Sequence, residues 1–232
     1  MAAASLDGTL LNFYSLPSGT VTNSSSDPSA AGQNFSLSLS GSGTTYGTVV
    51  GYVDKNGGSY TVRVAPVSGG ANILSITQPQ LQLPVVISPD GTLVAFCCDA
   101  ANPANSLIYK NGSQVASVPG LATGWIDNNR LLAWLPSTPN YIPGSVYVIY
   151  SPSGTVLANP PLPYFWLPFQ TVTSDTIYLS ELNGIYSLTT GQPTWTSPYH
   201  ADDDSTQWGP GAVTGNYVVF ESEGNVLAVP WQ

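Results

Sequence analysis

The stretch Val85-Val-Ile-Ser-Pro-Asp-Gly-Thr-Leu-Val-Ala-Phe96 shows most directly how this chain folds. An apolar run leads into the turn residues Ser88-Pro89-Asp90-Gly91, and a second apolar run then ends in an aromatic residue. Proline and aspartate favour the early positions of a tight turn, and glycine supplies the positive φ that many such turns need. The pattern predicts two β-strands joined in an antiparallel hairpin.

Hairpins of this kind recur along the chain at a period near 40 residues. Their turns fall near Gly43, Asp90, Asn128, Asp175 and Gly215, at steps of 47, 38, 47 and 40 residues. A second kind of hairpin lies between them, and its best copy runs from Val146 to Val156. No stretch sustains apolar residues at helical spacing. The sequence therefore predicts an all-β fold of repeated four-stranded antiparallel units. A period near 40 residues is the length of one blade of a β-propeller.

Ring closure is expected because a four-stranded unit cannot bury both of its faces alone, and a ring leaves no end unit unpaired. The chain begins with a second-kind hairpin and ends with the strands Ala212–Phe220 and Asn225–Pro230. We therefore expect residues 1–232 to form a single domain, a small β-propeller of about five blades that is closed by both termini. A six-bladed ring, an open solenoid, a sandwich and a fragment of a larger propeller remain alternatives.

The segment Ile87–Phe96 resembles a motif of TolB-type and WD-repeat β-propellers. In those families the motif marks the turn between the first and second strands of a blade. The resemblance is carried mainly by Ser88-Pro89-Asp90-Gly91 and by the period, and the Gly-His and Trp-Asp dipeptides of WD repeats are absent. It implies the propeller fold and carries no implication for activity.

The chain contains few charged residues. Only 7% of residues are charged, and four Lys and Arg stand against thirteen Asp and Glu, for a net charge of −9. Nucleic-acid binding is disfavoured because it depends on Lys and Arg that neutralise phosphates, and an anionic membrane surface is disfavoured for the same reason. No apolar run is long enough for a membrane-spanning helix, so no membrane insertion is expected.

The composition also bears on location. Solubility must come from uncharged polar residues, which favours an extracellular protein or one at a cell or virion surface. The first residues, Met1-Ala-Ala-Ala-Ser-Leu-Asp-Gly8, lack the basic and apolar regions of a secretory signal, which counts against this location. Cys97 and Cys98 are adjacent, so on a strand they would point to opposite faces. Two unlinked thiols are therefore expected, with a vicinal disulfide or a metal site as the alternatives.

Acidic residues follow the predicted second strands of several units. In a propeller the loops after the second and fourth strands share one face, so these acids would ring one mouth of the central channel. Such a cluster suits Ca²⁺ or a cationic partner, although aspartate is also an ordinary turn residue. The predicted ring contains Asp54, Asp99, Glu181, Glu223, Asp202, Asp203 and Asp204, together with His200. Ca²⁺ is the only cofactor considered, and no other is expected.

Aromatic residues crowd a proline-rich region of the chain. They could stack on sugar rings or anchor a partner protein, and packing between blades is the alternative. The predicted contact patch consists of Tyr141, Tyr164, Phe165 and Trp166.

Three functions fit these features. The one we expect is a non-catalytic extracellular module that binds protein or copies of itself, since the alternating run Phe35–Ser40 lacks the charges that protect a sheet edge. A glycan-binding propeller is the second. The third is a glycoside hydrolase with paired carboxylates at the channel mouth, such as Asp99 and Glu181. A serine hydrolase would have to use the single histidine, His200, and no nucleophile-elbow motif accompanies it.

Overall fold

The described part of the chain consists almost entirely of antiparallel β-strands. The computed structural model describes residues 2–7, 10–15, 20–26, 34–42, 45–56, 59–66, 71–79, 82–99, 101–102, 104–135, 146–165, 169–198, 212–222 and 225–232. Within these ranges the one helical element is a 3-10 turn at Ser180–Leu182. No helix in these ranges is long and apolar enough to span a bilayer. The all-β prediction is confirmed.

The strands form six sheets, each an up-and-down meander in chain order. Sheet 1 contains β1 (Ala2–Asp7), β2 (Leu10–Ser15) and β3 (Thr20–Ser26), and sheet 2 contains β4 (Asn34–Ser42), β5 (Thr45–Asn56), β6 (Ser59–Pro66) and β7 (Leu74–Gln78). Sheet 3 contains β8 (Gln82–Ile87), β9 (Leu93–Cys97), β10 (Asn105–Lys110) and β11 (Ser113–Pro119), and sheet 4 contains β12 (Leu121–Asp127), β13 (Arg130–Leu135), β14 (Val146–Tyr150) and β15 (Val156–Ala158). Sheet 5 contains β16 (Phe169–Thr171), β17 (Thr176–Leu179), β18 (Gly184–Ser187) and β19 (Pro193–Thr196), and sheet 6 contains β20 (Ala212–Thr214), β21 (Tyr217–Ser222) and β22 (Asn225–Pro230).

The turn between β8 and β9 is held by its own polar side chains. The Ser88 hydroxyl donates to Oδ1 of Asp90 at 2.7 Å and accepts the amide of Leu93 at 2.9 Å. The amide and hydroxyl of Thr92 also donate to that carboxylate oxygen, at 3.0 and 2.9 Å. Gly91 has a φ of 78°, the left-handed conformation that the motif predicts. The hairpin predicted from Val85–Phe96 is confirmed.

Alternation along the strands divides the core into layers between neighbouring sheets. On β9, Val94 and Phe96 pack towards sheet 2, whereas Leu93 and Ala95 pack towards sheet 4. On β13 the same alternation places Leu131 on the sheet 3 side and Leu132 on the sheet 5 side. Because successive side chains on a strand point to opposite faces, each central sheet buries both of its faces against its neighbours.

The first strands of successive sheets lie side by side. Strand β8 contacts both β4 and β12, and β12 contacts β16. Side chains also connect consecutive sheets: the Asp90 amide donates to Oδ1 of Asn128 at 3.0 Å, and Nη2 of Arg130 donates to the Ser174 carbonyl at 2.8 Å. Sheets that are stacked in sequence with their first strands innermost have the arrangement of blades in a β-propeller.

The four-stranded unit and its repeat are confirmed by sheets 2 to 5. Sheets 1 and 6, which contain the ends of the described chain, have three strands each, and no pairing between them is found among the described residues. The blade count of five and closure by both termini therefore remain predictions.

The expectation of two unlinked cysteine thiols is wrong. Cys97 and Cys98 form a disulfide with each other, and both are buried. The alternation argument fails because it assumes extended backbone through both residues, whereas β9 ends at Cys97 and the chain turns into a loop at Cys98.

Candidate functional site

The loops that carry the predicted acids lie at one end of each sheet. In a four-stranded meander the connection after the second strand and the connection after the fourth strand are at the same end, which we call the loop end. Asp99 follows β9 and Glu181 follows β17, as predicted, whereas Asp54 lies inside β5 because that strand continues to Asn56. Several predicted site residues lie outside the described residues: Glu223, Asp202, Asp203, Asp204, His200, Tyr141 and Trp166.

The described acids at the loop end do not form one cluster. Asp99 belongs to sheet 3 and Glu181 to sheet 5, so sheet 4 lies between them. Within the described ranges, no group of three or more His, Cys, Asp or Glu side chains is placed to hold a metal ion. The predicted acidic ring and its Ca²⁺ rest mainly on residues 200–204 and 223, and they remain predictions.

Asp99 organises its own loop. Its Oδ1 accepts the amide of Ala101 at 2.9 Å, and its Oδ2 accepts the hydroxyl of Ser117 at 2.9 Å. Nδ2 of Asn105 donates to the same hydroxyl at 3.1 Å. The Ala101 amide, followed by the Ser117 hydroxyl, lowers the pKa of Asp99, because both bonds favour the charged carboxylate. Both carboxylate oxygens are therefore used in holding the loop.

Glu181 is held differently, on the 3-10 turn that joins β17 to β18. Asn183 ends this turn with a φ of 44°, and its amide donates to the Ser180 carbonyl at 3.2 Å. The hydroxyl of the buried Tyr178 donates to Oδ1 of Asn183 at 3.0 Å, which ties the turn to the core. The turn thus presents Glu181 to solvent on a fixed backbone.

An aromatic cluster fills the space between sheets 4 and 5 at the same end. The rings of Tyr147 and Phe165 stack with centroids 4.7 Å apart and planes 3° apart, and Phe169 meets Phe165 edge-on at 6.4 Å. Beside them Tyr164 packs at 62° against Trp134, with centroids 5.8 Å apart. Phe165 is buried, so the prediction that it forms part of an exposed contact patch is corrected, whereas Tyr164 is 43% exposed.

Tyr147 fixes the backbone beside Tyr164. Its hydroxyl donates to the Phe165 carbonyl at 3.1 Å and accepts the Phe165 amide at 3.0 Å. Burial raises the pKa of Tyr147 to about 12; the bond to Phe165 acts in the opposite direction, and the charges of Tyr164 and Glu181 raise it further. The Tyr147 hydroxyl therefore ties β14 to the segment that carries Tyr164 and Phe165.

Sequence reasoning missed the role of Tyr147. The alternation in Val146–Tyr150 places Tyr147 and Ile149 on one face, and both belong to the core between sheets 4 and 5. That signal identifies a buried tyrosine. It gives no indication that the hydroxyl bonds to a backbone segment 18 residues away.

The outer edges of the sheets form a second candidate surface. The last strands of sheets 2 to 6 (β7, β11, β15, β19 and β22) contain no charged residue. On β11 Val115 is 45% exposed, and on β15 Val156 and Leu157 are 53% and 51% exposed. The turn before β15 packs on β11, because a Cβ added to Gly154 would lie 3.2 Å from a methyl group of Val118. The turn before β15 therefore lies against the edge strand of sheet 3, and we call the exposed residues Val115, Val156 and Leu157 the apolar margin.

Comparison with known proteins identifies the fold alone. No protein-family model matches the chain, and no curated protein matches it in sequence. Among solved structures, an acylaminoacyl peptidase aligns over all of this chain at 11% identity with a TM-score of 0.53, and TolB from Acinetobacter baumannii aligns over 94% at 14% identity with a TM-score of 0.50. The β-propeller domain of the Trilobed protease from Pyrococcus furiosus aligns over 85% at 15% identity with a TM-score of 0.45.

This chain spans 43% of the peptidase chain, 57% of the TolB chain and 82% of the Trilobed protease domain. It resembles TolB-type β-propellers in fold, which confirms the resemblance drawn from Ser88–Gly91 and the period. At these identities the similarity carries no activity or partner to this chain.

Proposed function

We propose that this chain is a non-catalytic binding and assembly module that works outside the cell and associates with copies of itself through the outer edges of its sheets. The observation that carries the proposal is the absence of charge from the last strands of sheets 2 to 5. An edge strand presents unpaired amides and carbonyls, and soluble proteins commonly protect such edges with lysine or other charges. The last strands of these sheets contain no charged side chain that could protect their edges in this way.

The apolar margin of sheets 3 and 4 is the contact that we propose. Val115, Val156 and Leu157 are each about half exposed, on neighbouring edges. A second copy that covered them would remove apolar surface from water and would pair edge groups at the same time. The net charge of −9 is a weak obstacle, because the acids are absent from these strands.

An extracellular location is supported by two features. The chain contains few charges, and its only two cysteines form a disulfide. Disulfides persist mainly in oxidising compartments and are rare in the cytosol of most organisms.

Closure of the ring is also part of the proposal. Four complete sheets would be joined by a fifth blade in which strands from the start of the chain cover the outer side of β22. Among the described residues, sheet 6 has three strands, whereas sheets 2 to 5 have four. Val226 on β22, the last strand of sheet 6, is 76% exposed. Hydrogen exchange tests this directly: the β22 amides that do not bond to β21 should exchange slowly if a fourth strand is present. Fast exchange at those amides would contradict closure.

Self-association is tested by placing charge on the margin. We expect the wild-type chain to gain mass between about 10 and 500 µM in sedimentation or light-scattering measurements. The double variant Val115→Lys/Leu157→Lys should associate at least tenfold more weakly, because the lysines would face each other across the contact. Asn129→Lys is the matched control, since it adds a lysine at an exposed turn away from the edges. A monomeric wild type, or equal association by the double variant, would overturn the proposal.

A further inference from the structure

The hairpin turn between β10 and β11 contains a modification motif with an exposed asparagine. Asn111-Gly112-Ser113 is an asparagine followed two residues later by a serine, the motif at which asparagine receives an N-linked glycan. Asn111 and Gly112 are the two residues of the turn, with φ values of 48° and 83°, and Lys110 pairs with Ser113 across it. Asn111 and Ser113 are both exposed, so the motif lies at the surface.

The turn is held through its backbone. The Asn111 amide donates to the Thr92 carbonyl at 3.1 Å, and a Cβ added to Gly112 would lie 2.8 Å from the carbonyl oxygen of Ile73. Neither the side chain of Asn111 nor the hydroxyl of Ser113 makes a hydrogen bond within the described part of the chain. A sugar attached to Asn111 would therefore break no contact of the fold.

Other asparagines in loops and turns are used by the fold. Oδ1 of Asn128 accepts the Asp90 amide, and Nδ2 of Asn105 donates to the Ser117 hydroxyl. Neither has Ser or Thr two residues later in the sequence. The motif also occurs at Asn23 and Asn34, but these two residues lie on strands β3 and β4. Asn111 thus combines the motif, a turn and a side-chain amide that the fold does not use.

We propose that Asn111 carries an N-linked glycan. A bond forms between Nδ2 of Asn111 and C1 of the first sugar of a lipid-diphosphate-linked oligosaccharide. The bond from that C1 to the phosphate oxygen breaks, the lipid diphosphate leaves, and Nδ2 loses one proton to solvent. Transfer to a nascent chain precedes folding, so the finished hairpin has only to accommodate the sugar.

This inference rests on the proposed extracellular location, because the transfer takes place on the secretory route. The Cys97–Cys98 disulfide is consistent with that route, since disulfides form in its oxidising compartments. A glycan would also supply hydrated, uncharged surface to a chain in which only 7% of residues are charged.

The test uses the whole chain, secreted from eukaryotic cells and then treated with a peptide N-glycosidase in heavy-oxygen water. The enzyme leaves a labelled aspartate wherever it removes a glycan. Trypsin then separates the motifs, because it cleaves after the four basic residues, which are Lys55, Arg63, Lys110 and Arg130. Peptide 1–55 contains Asn23 and Asn34, and peptide 111–130 contains Asn111. We expect the label at Asn111, and we expect it to be lost when the glycosidase is omitted.

Two controls separate glycosylation from spontaneous deamidation, to which Asn-Gly sequences are prone. Asn183 is also followed by glycine and has a φ of 44°, but Ile185 stands where Ser113 stands in the motif, so Asn183 should remain unlabelled. Ser113→Ala preserves the Asn-Gly turn and should abolish the label at Asn111, whereas Ser113→Thr should retain it.

An unlabelled peptide 111–130 from the secreted wild type would overturn the proposal, as would equal labelling of Ser113→Ala. Because the experiment supplies the secretory route, either result would count against Asn111 and leave the proposed location untouched. Recovery of the native chain from the cytosol would instead count against the location. Association through the apolar margin is measured on protein made without glycosylation, so its failure is distinguishable from both.

Discussion

Removal of one oxygen atom, in Tyr147→Phe, tests how the aromatic cluster between sheets 4 and 5 is held together. The variant keeps the ring that stacks on Phe165 at 4.7 Å and removes the hydroxyl that bonds to both the amide and the carbonyl of Phe165. We expect the free energy of unfolding to fall although the core loses no apolar atom.

The magnitude follows from the groups that are left without a partner. Phe165 is 3% exposed, so its amide and carbonyl would both remain in the protein interior. A buried polar group that loses its partner costs about 1–3 kcal/mol. Two such groups give a loss of roughly 2–4 kcal/mol if the backbone relaxes in part, and for a chain of this length each kcal/mol lowers Tm by about 2–4 °C.

Two other buried tyrosines supply the comparison. The Tyr178 hydroxyl makes one bond, to the side chain of Asn183, so Tyr178→Phe should cost about 1 kcal/mol. Tyr150 is equally buried and belongs to the core between sheets 3 and 4. Of the three variants, Tyr150→Phe should lower the free energy of unfolding the least. Urea denaturation followed by tryptophan fluorescence would rank the variants, and a loss for Tyr147→Phe no larger than that for Tyr150→Phe would refute the reasoning.

Alkaline titration gives an independent readout of the same hydroxyl. The folded-state pKa of Tyr147 is about 12, above the value of 10.0 for an unperturbed tyrosine. The folded state therefore holds the proton of the Tyr147 hydroxyl more tightly than the unfolded state does. The stability that the protonated hydroxyl contributes is complete below pH 10.0 and is lost as the pH rises towards 12. Tyr147→Phe should lose less stability than the wild type over that interval. Parallel curves would contradict the assignment.

Two further predictions concern the acids and the cysteines. Desolvation acts to raise the pKa of Asp90, but the hydrogen bonds from Thr92 and Ser88 outweigh it, and the pKa of Asp99 is lowered as well. The stability that they contribute should be present above pH 3.8 and lost as the pH falls through their lower folded-state values, so the urea midpoint of Asp90→Asn should fall less on acidification than that of the wild type. Denatured, unreduced protein should react with no equivalent of a thiol reagent, and reduced protein with two; any thiol before reduction would argue against the Cys97–Cys98 bond.

The fold was largely predictable because its signals are local and repeated. The side chains of Ser88, Asp90 and Thr92 hold one turn together, so most of its signal lies within a few residues of sequence. The period then follows from counting such turns. The disulfide was not predictable in the same way, because alternation describes extended strands and Cys98 lies beyond the end of β9. The number of blades could not be predicted from the sequence either, because the strands at the two chain ends can be grouped into blades in more than one way.

The candidate site was harder to predict because polar residues in loops have two uses that look identical in sequence. Asp99 and Glu181 occupy equivalent positions, each shortly after the second strand of its sheet. In the structure both oxygens of Asp99 accept hydrogen bonds, one from its own loop and one from Ser117 on β11, whereas Glu181 is carried on an exposed 3-10 turn. The difference arises from what surrounds each acid. Ala101 and Ser117 supply donors to Asp99, and the turn that carries Glu181 is tied to the core by the bond from Tyr178 to Asn183. Among the described residues, acids at equivalent positions therefore differ: Asp99 holds its loop together, and Glu181 lies on an exposed turn.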